Sequence, residues 1–255
     1  MQVTLLQQDI IANNPQANLD YLARQMQAAP GSELFVLPEL FTTGYNTSAE
    51  NLADLFTPDI PRQLQQLSAA HQAAICGSMI VRTPKGCRNR HFFVQPDGKI
   101  TTYDKHHLYH TEKGDYTSGQ ERVVVEWKGV RFLLQVCFDL RFPVWARNGG
   151  EYDCAIYVAN WPHVRSHIWN TLLRARAIEN QCFVIGVNRV GSDMFGTYYG
   201  ESALINPMGH PVVQSTSEQA EALTTTLDMS LLNEFRRKFP ILLDGDPFTL
   251  NLPKD

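Results

Sequence analysis

Three residues able to do covalent chemistry stand where apolar runs stop. Cys137 follows Phe132-Leu133-Leu134-Gln135-Val136, where a strand gives way to polar residues and a turn. Glu39 ends the run Leu34-Phe35-Val36-Leu37-Pro38, and Lys105 follows the alternating Ile100-Thr101-Thr102-Tyr103-Asp104. A free thiol, with a pKa of about 8.5, is only a few per cent thiolate at neutral pH, so a nucleophilic cysteine needs a base or a nearby positive charge. Glu39 can be that base. A carboxylate alone would repel a thiolate, whereas an ammonium at Lys105 offsets the repulsion and can hold an oxyanion. If Cys137 occupies a tight turn entering a helix, the N–H of Phe138 is free to be a second oxyanion donor. The set then fits acyl transfer. Singly, the three read as a packed thiol, a helix-capping acid and a solvated lysine; their joint occurrence points to chemistry.

For these residues to meet, the strands that carry them must end on one side of a layered fold. Residues 3–7 read as a first strand, and Asn14-Pro15 opens a helix with Leu19, Leu22 and Met26 at helical spacing. Residues 34–37 form a continuous apolar run, as in a strand covered on both faces, and Pro61 begins a helix bearing Leu64 and Leu67. Residues 74–81 are another buried strand. Turn signals at Pro84-Lys85-Gly86 and Pro96-Asp97-Gly98 bracket a strand over 91–94, which predicts antiparallel hairpins and a mixed sheet.

The second half repeats the plan with strands over 123–127 and 130–136, and Pro143 is expected to start a short helix stopped by Gly149-Gly150. A strand over 155–158 precedes a long helix capped by Ser166, with Ile168, Leu172, Ala175 and Ile178 on its apolar face. A strand over 182–187, a hairpin around Asn206-Pro207-Met208-Gly209, a strand over 222–227 and a helix capped by Asp228 follow. In each half an apolar strand stops at a reactive residue, which points to two related layers facing each other. Sites in open α/β sheets lie outside the carboxyl ends of strands, where Glu39, Lys105 and Cys137 would converge.

Composition narrows the partners. At 255 residues, 44% hydrophobic and 19% charged, the chain is ordinary globular α/β material, read as one domain over 1–255. A formal charge of −4 without a lysine or arginine block argues against a nucleic-acid partner. Residues 1–9 lack a basic region before a long apolar stretch, and no window approaches the ~20 apolar residues of a membrane span, so a cytoplasmic protein with no membrane partner is expected. Five cysteines (Cys76, Cys87, Cys137, Cys154 and Cys182) without CxxC spacing argue against a disulfide framework and a thiolate zinc site. The pairs His106/His110 and His163/His167 have i,i+4 spacing but no HExxH glutamate, so no metal is expected.

The segments Leu37-Pro38-Glu39-Leu40-Phe41-Thr42-Thr43-Gly44-Tyr45, Tyr103-Asp104-Lys105-His106-His107-Leu108 and Val136-Cys137-Phe138-Asp139-Leu140-Arg141-Phe142-Pro143 resemble, in family order, the motifs of the nitrilase superfamily of carbon-nitrogen hydrolases. Asn160-Trp161-Pro162 and Arg174-Ala175-Arg176-Ala177-Ile178-Glu179-Asn180-Gln181 extend the likeness over nearly the whole chain. Within the superfamily the chain is most similar to the ω-amidase branch of bacterial YafV-like proteins. The resemblance implies a four-layer α-β-β-α sandwich with mixed sheets, a Glu39-Lys105-Cys137 triad, no metal or organic cofactor, and a homodimer across the helical face near residues 174–181. It also implies a second glutamate between the lysine and cysteine strands. Glu112 stands there; the loop departs from the commonest family wording, which leaves Asp115 as the alternative.

The reaction so implied is hydrolysis of a small-molecule amide through an acyl-thioester, with ammonia released. The ω-amidase likeness implies short ω-amides of 2-oxo dicarboxylic acids, 2-oxoglutaramate and 2-oxosuccinamate, whose distal carboxylate needs a cation or backbone donors. Arg141 is the nearest basic candidate, with pairing to Asp139 as its alternative. Phe41, Tyr45, Phe138 and Trp161 are candidate pocket walls, although aromatics at such positions are more often core. The competing functions are deaminated glutathione amidase, a nitrile hydrolase of the same fold, and a catalytically silent scaffold that binds a partner through its helical face.

Overall fold

The computed structural model describes residues 1–45 and 48–250; residues 46, 47 and 251–255, the last at the end of the expected 1–255 domain, lie outside the described residues. The first half runs β1 (Gln2–Gln7), α1 (Pro15–Ala28), β2 (Leu34–Val36), α2 (Ala49–Asp54), α3 (Asp59–His71), β3 (Ala74–Thr83), β4 (Gly86–Val94) and β5 (Ile100–Asp104). The second runs β6 (Val124–Trp127), β7 (Val130–Val136), β8 (Cys154–Ala159), α4 (Ser166–Glu179), β9 (Phe183–Asn188), β10 (Val190–Asp193), β11 (Gly196–Tyr199), β12 (Ala203–Ile205), β13 (Pro211–Gln214), β14 (Glu221–Thr226) and α5 (Met229–Lys238).

Two six-stranded mixed sheets result. The first has the order β14-β1-β2-β3-β4-β5, with β1, β2 and β3 parallel and the outer strands antiparallel. The second, β13-β12-β9-β8-β7-β6, has the same plan around parallel β7, β8 and β9. Their inner faces share one core in which Val3, Leu5, Val36 and Phe93 oppose Phe132, Leu134, Ile156 and Val187, and the Phe93 and Phe132 rings lie 5.8 Å apart. Helices α1 and α3 cover the outer face of the first sheet through Leu19, Leu22, Met26, Ile60 and Leu64. Helix α4 covers the second through Trp169, Leu173 and Ala177. The expected four-layer α-β-β-α sandwich is therefore present. Among the described residues no helix is long and apolar enough to cross a membrane.

Local signals explain most boundaries. Asn14 caps α1, its side chain accepting from the Ala17 N–H, with Pro15 at the first helical position. Strand β2 is buried on both faces, which its unbroken apolar run requires. Helix α3 begins at Asp59, two residues before Pro61, because proline fits the first turn of a helix where no N–H is needed.

Three expectations fail. The buried positions of α4 are Trp169, Leu173, Arg176 and Ala177, each next to and none among Ile168, Leu172, Ala175 and Ile178, and Ile178 is 50% exposed. Gly186 on β9 explains the rotation: a Cβ there would lie 2.5 Å from Leu173 and 2.8 Å from Trp169, so its absence lets those two side chains seat on the sheet. Ser166 is the first residue of α4 rather than its cap, and the helix follows a 3-10 turn, His163–Arg165. No helix starts at Pro143. Instead a 3-10 turn, Cys137–Arg141, leaves β7 directly and is followed by non-helical turns, with Trp145 buried and its Nε1–H donating to the Tyr103 hydroxyl at 3.1 Å.

Candidate active site

The three reactive residues stand just past the carboxyl ends of β2, β5 and β7. Beyond β2 the Leu37 N–H still donates to the Cys76 carbonyl at 2.8 Å, and Leu40, in the left-handed region at φ +46°, donates its N–H to the Ser78 hydroxyl at 2.9 Å. This turn buries Glu39, which is 1% exposed. One carboxylate oxygen, Oε1, accepts from Lys105 Nζ at 2.8 Å and Asn89 Nδ2 at 2.7 Å; the other accepts from the Asn160 N–H at 2.8 Å. Asn160 Nδ2 also donates to the Glu39 carbonyl at 3.0 Å, so the end of β8 in one sheet fixes the acid of the other.

Lys105 is 2% exposed and held between two acids, with Nζ 2.8 Å from Glu39 and 2.9 Å from Glu112. Burial disfavours its ammonium, but Glu112 and Glu39 together outweigh that and hold its pKa well above the ordinary lysine range. Glu112 is itself fixed, its second oxygen accepting from the Tyr109 N–H at 2.7 Å. The Tyr45 hydroxyl donates to Glu112 and lies 3.3 Å from Glu39.

Cys137 is partly exposed and has a left-handed backbone at φ +43°, a conformation that turns a side chain out of the end of its strand. Buried Asp139 holds this turn: it accepts from the Val136 N–H at 3.0 Å, the Tyr103 hydroxyl at 2.7 Å, and His107 through its N–H at 2.9 Å and Nδ1 at 2.8 Å. Tyr103 and His107 flank Lys105, so Asp139 ties the lysine strand end to the cysteine strand end. Burial, then the Glu39 charge, push the Cys137 thiol well above its usual pKa, with Lys105 opposing. Burial and Glu39 both favour the protonated thiol over the thiolate. Phe138, second in the 3-10 turn, has an N–H ahead of the first i→i−3 bond of that turn.

Glu39, Lys105 and Cys137 open into one cavity of about 280 Å³. Glu39, Lys105, Glu112, Cys137, Phe138, Arg141 and Trp161 line it. Phe41 does not: it is 1% exposed in the core beneath the first sheet, 2.9 Å from where a Cβ on Gly77 would stand. The Leu40 turn sends it inward while Glu39 faces the cavity. Asp115 is exposed at the cavity wall and Glu112 is the acid on Lys105. Arg141 does not pair with Asp139, whose oxygens are taken by Val136, Tyr103 and His107; its guanidinium lies 5.3 Å from the centre of the Trp161 ring.

Asn89, the Asn160 backbone, the Tyr45 hydroxyl and Asp139 complete the site without a role read from sequence. Asp139, two residues past the thiol, carried a weak signal; Asn89, in mid-strand, carried none. His106 stacks on Trp145 at 3.8 Å, and His163 stacks on Tyr199 at 4.6 Å, so packing occupies both.

Residues 2–237 match the carbon-nitrogen hydrolase family. The omega-amidase YafV of Escherichia coli strain K12 is 44% identical over 253 residues, covering 98% of each chain. The 2-oxoglutaramate amidase of Bacillus subtilis strain 168 is 30% identical over 253 residues, covering 95% of this chain and 96% of that one. The crystal structure of a CN-hydrolase superfamily protein from Xanthomonas campestris, with an arsenic adduct in its active site, superimposes with a TM-score of 0.93 at 42% identity, over 98% of this chain and 99% of that one. On this family match and these relatives, the chain belongs to the carbon-nitrogen hydrolase family.

Proposed function

We propose that the chain is a cysteine-dependent ω-amidase that hydrolyses short ω-amides of 2-oxo dicarboxylic acids, 2-oxoglutaramate and 2-oxosuccinamate, to the acid and ammonia. The names of the relatives support the substrate class. The observation that carries the chemistry is Lys105 Nζ, 2.8 Å from Glu39 and 2.9 Å from Glu112, in the cavity that holds Cys137.

In this reading the Cys137 proton passes to Glu39 as the sulfur attacks the amide carbon. Lys105 Nζ and the Phe138 N–H hold the oxyanion. Collapse of the intermediate, with the proton delivered from Glu39 to nitrogen, releases ammonia and leaves an acyl-thioester. Water that gives its proton to Glu39 or Glu112 attacks the thioester, frees the carboxylic acid and restores the thiol. A thiol at rest suits this sequence, because the proton needed by the leaving nitrogen is already in the site. Glu112, by sharing Lys105, keeps the ammonium charged. Arg141 meets the distal carboxylate of the substrate, and Phe138 and Trp161 form the walls.

The reading takes residues 1–255 as one functional unit. Its homodimer packs through α4, where half-exposed Ile178 offers apolar surface, and five free thiols suit a reducing cytoplasm. Cys137→Ala should abolish ammonia release from 2-oxoglutaramate while leaving the unfolding free energy within about 1 kcal/mol of the parent chain. Full residual release would overturn the assignment.

A further inference from the structure

Lys105, the cation at the nucleophile, is neutralised by two carboxylates, yet two further cations line the same cavity. Arg141 lies 5.3 Å over the Trp161 ring, and Arg165 lies 5.5 Å over the Tyr109 ring. Both are half-buried. Among the described residues neither guanidinium faces a carboxylate, whereas Arg90, Arg131, Arg176, Arg189 and Arg236 each pair with one.

The platforms beneath the two arginines are rigid and connected. Trp161 is 3% exposed, and its backbone N–H donates to Asn188 at 2.8 Å. Its Nε1–H donates to the Arg165 carbonyl at 2.9 Å, which joins one arginine's platform to the backbone of the other. Tyr109 is anchored by its N–H on Glu112 and packs edge-on against Phe138, ring centres 5.2 Å apart, beside the thiol. Two pre-positioned forks of donors thus share the cavity with a cluster in which two carboxylates meet one ammonium, so the arginines are the part of the wall suited to an anion. Asp115 is a further acid on the wall, and it is exposed.

We infer that Arg165 is a specificity residue that acts with Arg141 to receive the 2-oxo acid end of the substrate. This rests on the ω-amide reading and deepens it. A 2-oxo acid presents three acceptor oxygens, two on the carboxylate and one on the adjacent carbonyl. One guanidinium can grip two of them with parallel hydrogen bonds, which leaves the third for a second donor. Arg165 supplies that donor, and ring stacking holds its fork in place before substrate arrives.

Two measurements test this on Arg165→Met, which keeps an unbranched apolar chain over Tyr109, and on Arg165→Lys, which keeps the charge. The first is the split of KM and kcat for 2-oxoglutaramate. The second is the concentration of 2-oxoglutarate that half-protects Cys137 from alkylation by iodoacetamide, which needs no turnover. Arg165→Met should raise both KM and the half-protecting concentration roughly 10- to 100-fold, as loss of a charge-assisted hydrogen bond does, with Arg165→Lys between it and the parent. Unchanged KM and protection would overturn the role of Arg165, as would a fall in kcat with protection intact. If the parent chain does not turn over 2-oxoglutaramate, the ω-amide reading fails, and the protection arm still decides whether Arg165 binds a 2-oxo acid.

Discussion

Replacing Lys105 by methionine isolates what the ammonium does between its two acids. With Lys105 2% exposed, and Nζ 2.8 Å from Glu39 and 2.9 Å from Glu112, methionine fills nearly the same volume but leaves two buried carboxylates without a counter-charge. Removing one partner of a buried ion pair costs about 3–5 kcal/mol, because the desolvated charge that remains is uncompensated. For a chain of this size that corresponds to a fall in Tm of roughly 6–20 °C, at about 2–4 °C per kcal/mol. Glu112→Gln alone leaves Lys105 its Glu39 partner and should cost about 1–3 kcal/mol. In the double variant Lys105→Met/Glu112→Gln one of the stranded charges is gone. It should therefore be at least ~1 kcal/mol more stable than the sum of the single losses predicts, as for residues in direct contact. Urea unfolding of the four chains gives the coupling. Additivity within ~0.5 kcal/mol would refute the reasoning, and so would equal coupling of Lys105→Met to Asp115→Asn, whose carboxyl faces solvent.

Two further outcomes follow from the same geometry. Tyr45→Phe removes the hydroxyl that donates to Glu112 and lies 3.3 Å from Glu39; a lost hydrogen bond to a charged group should lower kcat roughly 10- to 150-fold with little change in KM, and a kcat within about twofold of the parent would show the hydroxyl to be idle. Because burial first, and Glu39 next, raise the Cys137 thiol well above its usual pKa against the opposing pull of Lys105, alkylation of the substrate-free site by neutral iodoacetamide should keep accelerating from about pH 7 to about pH 9; a plateau below about pH 8 would mean a thiolate at rest.

What could be read from sequence was set by pattern and by proximity along the chain. The parallel strands of both halves are unbroken apolar runs, and the reactive residues stand where those runs end, so their places followed from local information. The supports of the site depend instead on register between distant segments. Asn89 sits in β4 opposite Ile80, and only the pairing of β2, β3 and β4 in one sheet brings it to Glu39, fifty residues earlier. Phe41 shows the converse: an aromatic two residues from Glu39 could wall the cavity or pack in the core, and the left-handed φ of Leu40 decides for core. The buried face of α4 was misread in part because an arginine reads as solvent-facing. Arg176 is buried, donating to the Leu140 carbonyl at 2.6 Å and pairing with Glu179 at 2.8 Å.

That buried arginine bears on how the Cys137 turn is held. A left-handed backbone at a non-glycine residue costs about 1–2 kcal/mol and persists only where its surroundings over-determine it. The Cys137 turn is fixed from three layers: Val136 by its own strand pairing, Asp139 by Tyr103 and His107 of the facing sheet, and the Leu140 carbonyl by Arg176 of the outer helix. Asn160, at the end of the neighbouring strand, reaches across to Glu39. The thiol turn is thus held largely by contacts between layers, whereas Glu39 and Lys105 meet at the end of the first sheet, with Asn160 tying Glu39 to the second. A change that lets the two sheets slide should therefore displace the Cys137 turn from the Glu39–Lys105 pair before it unfolds either sheet.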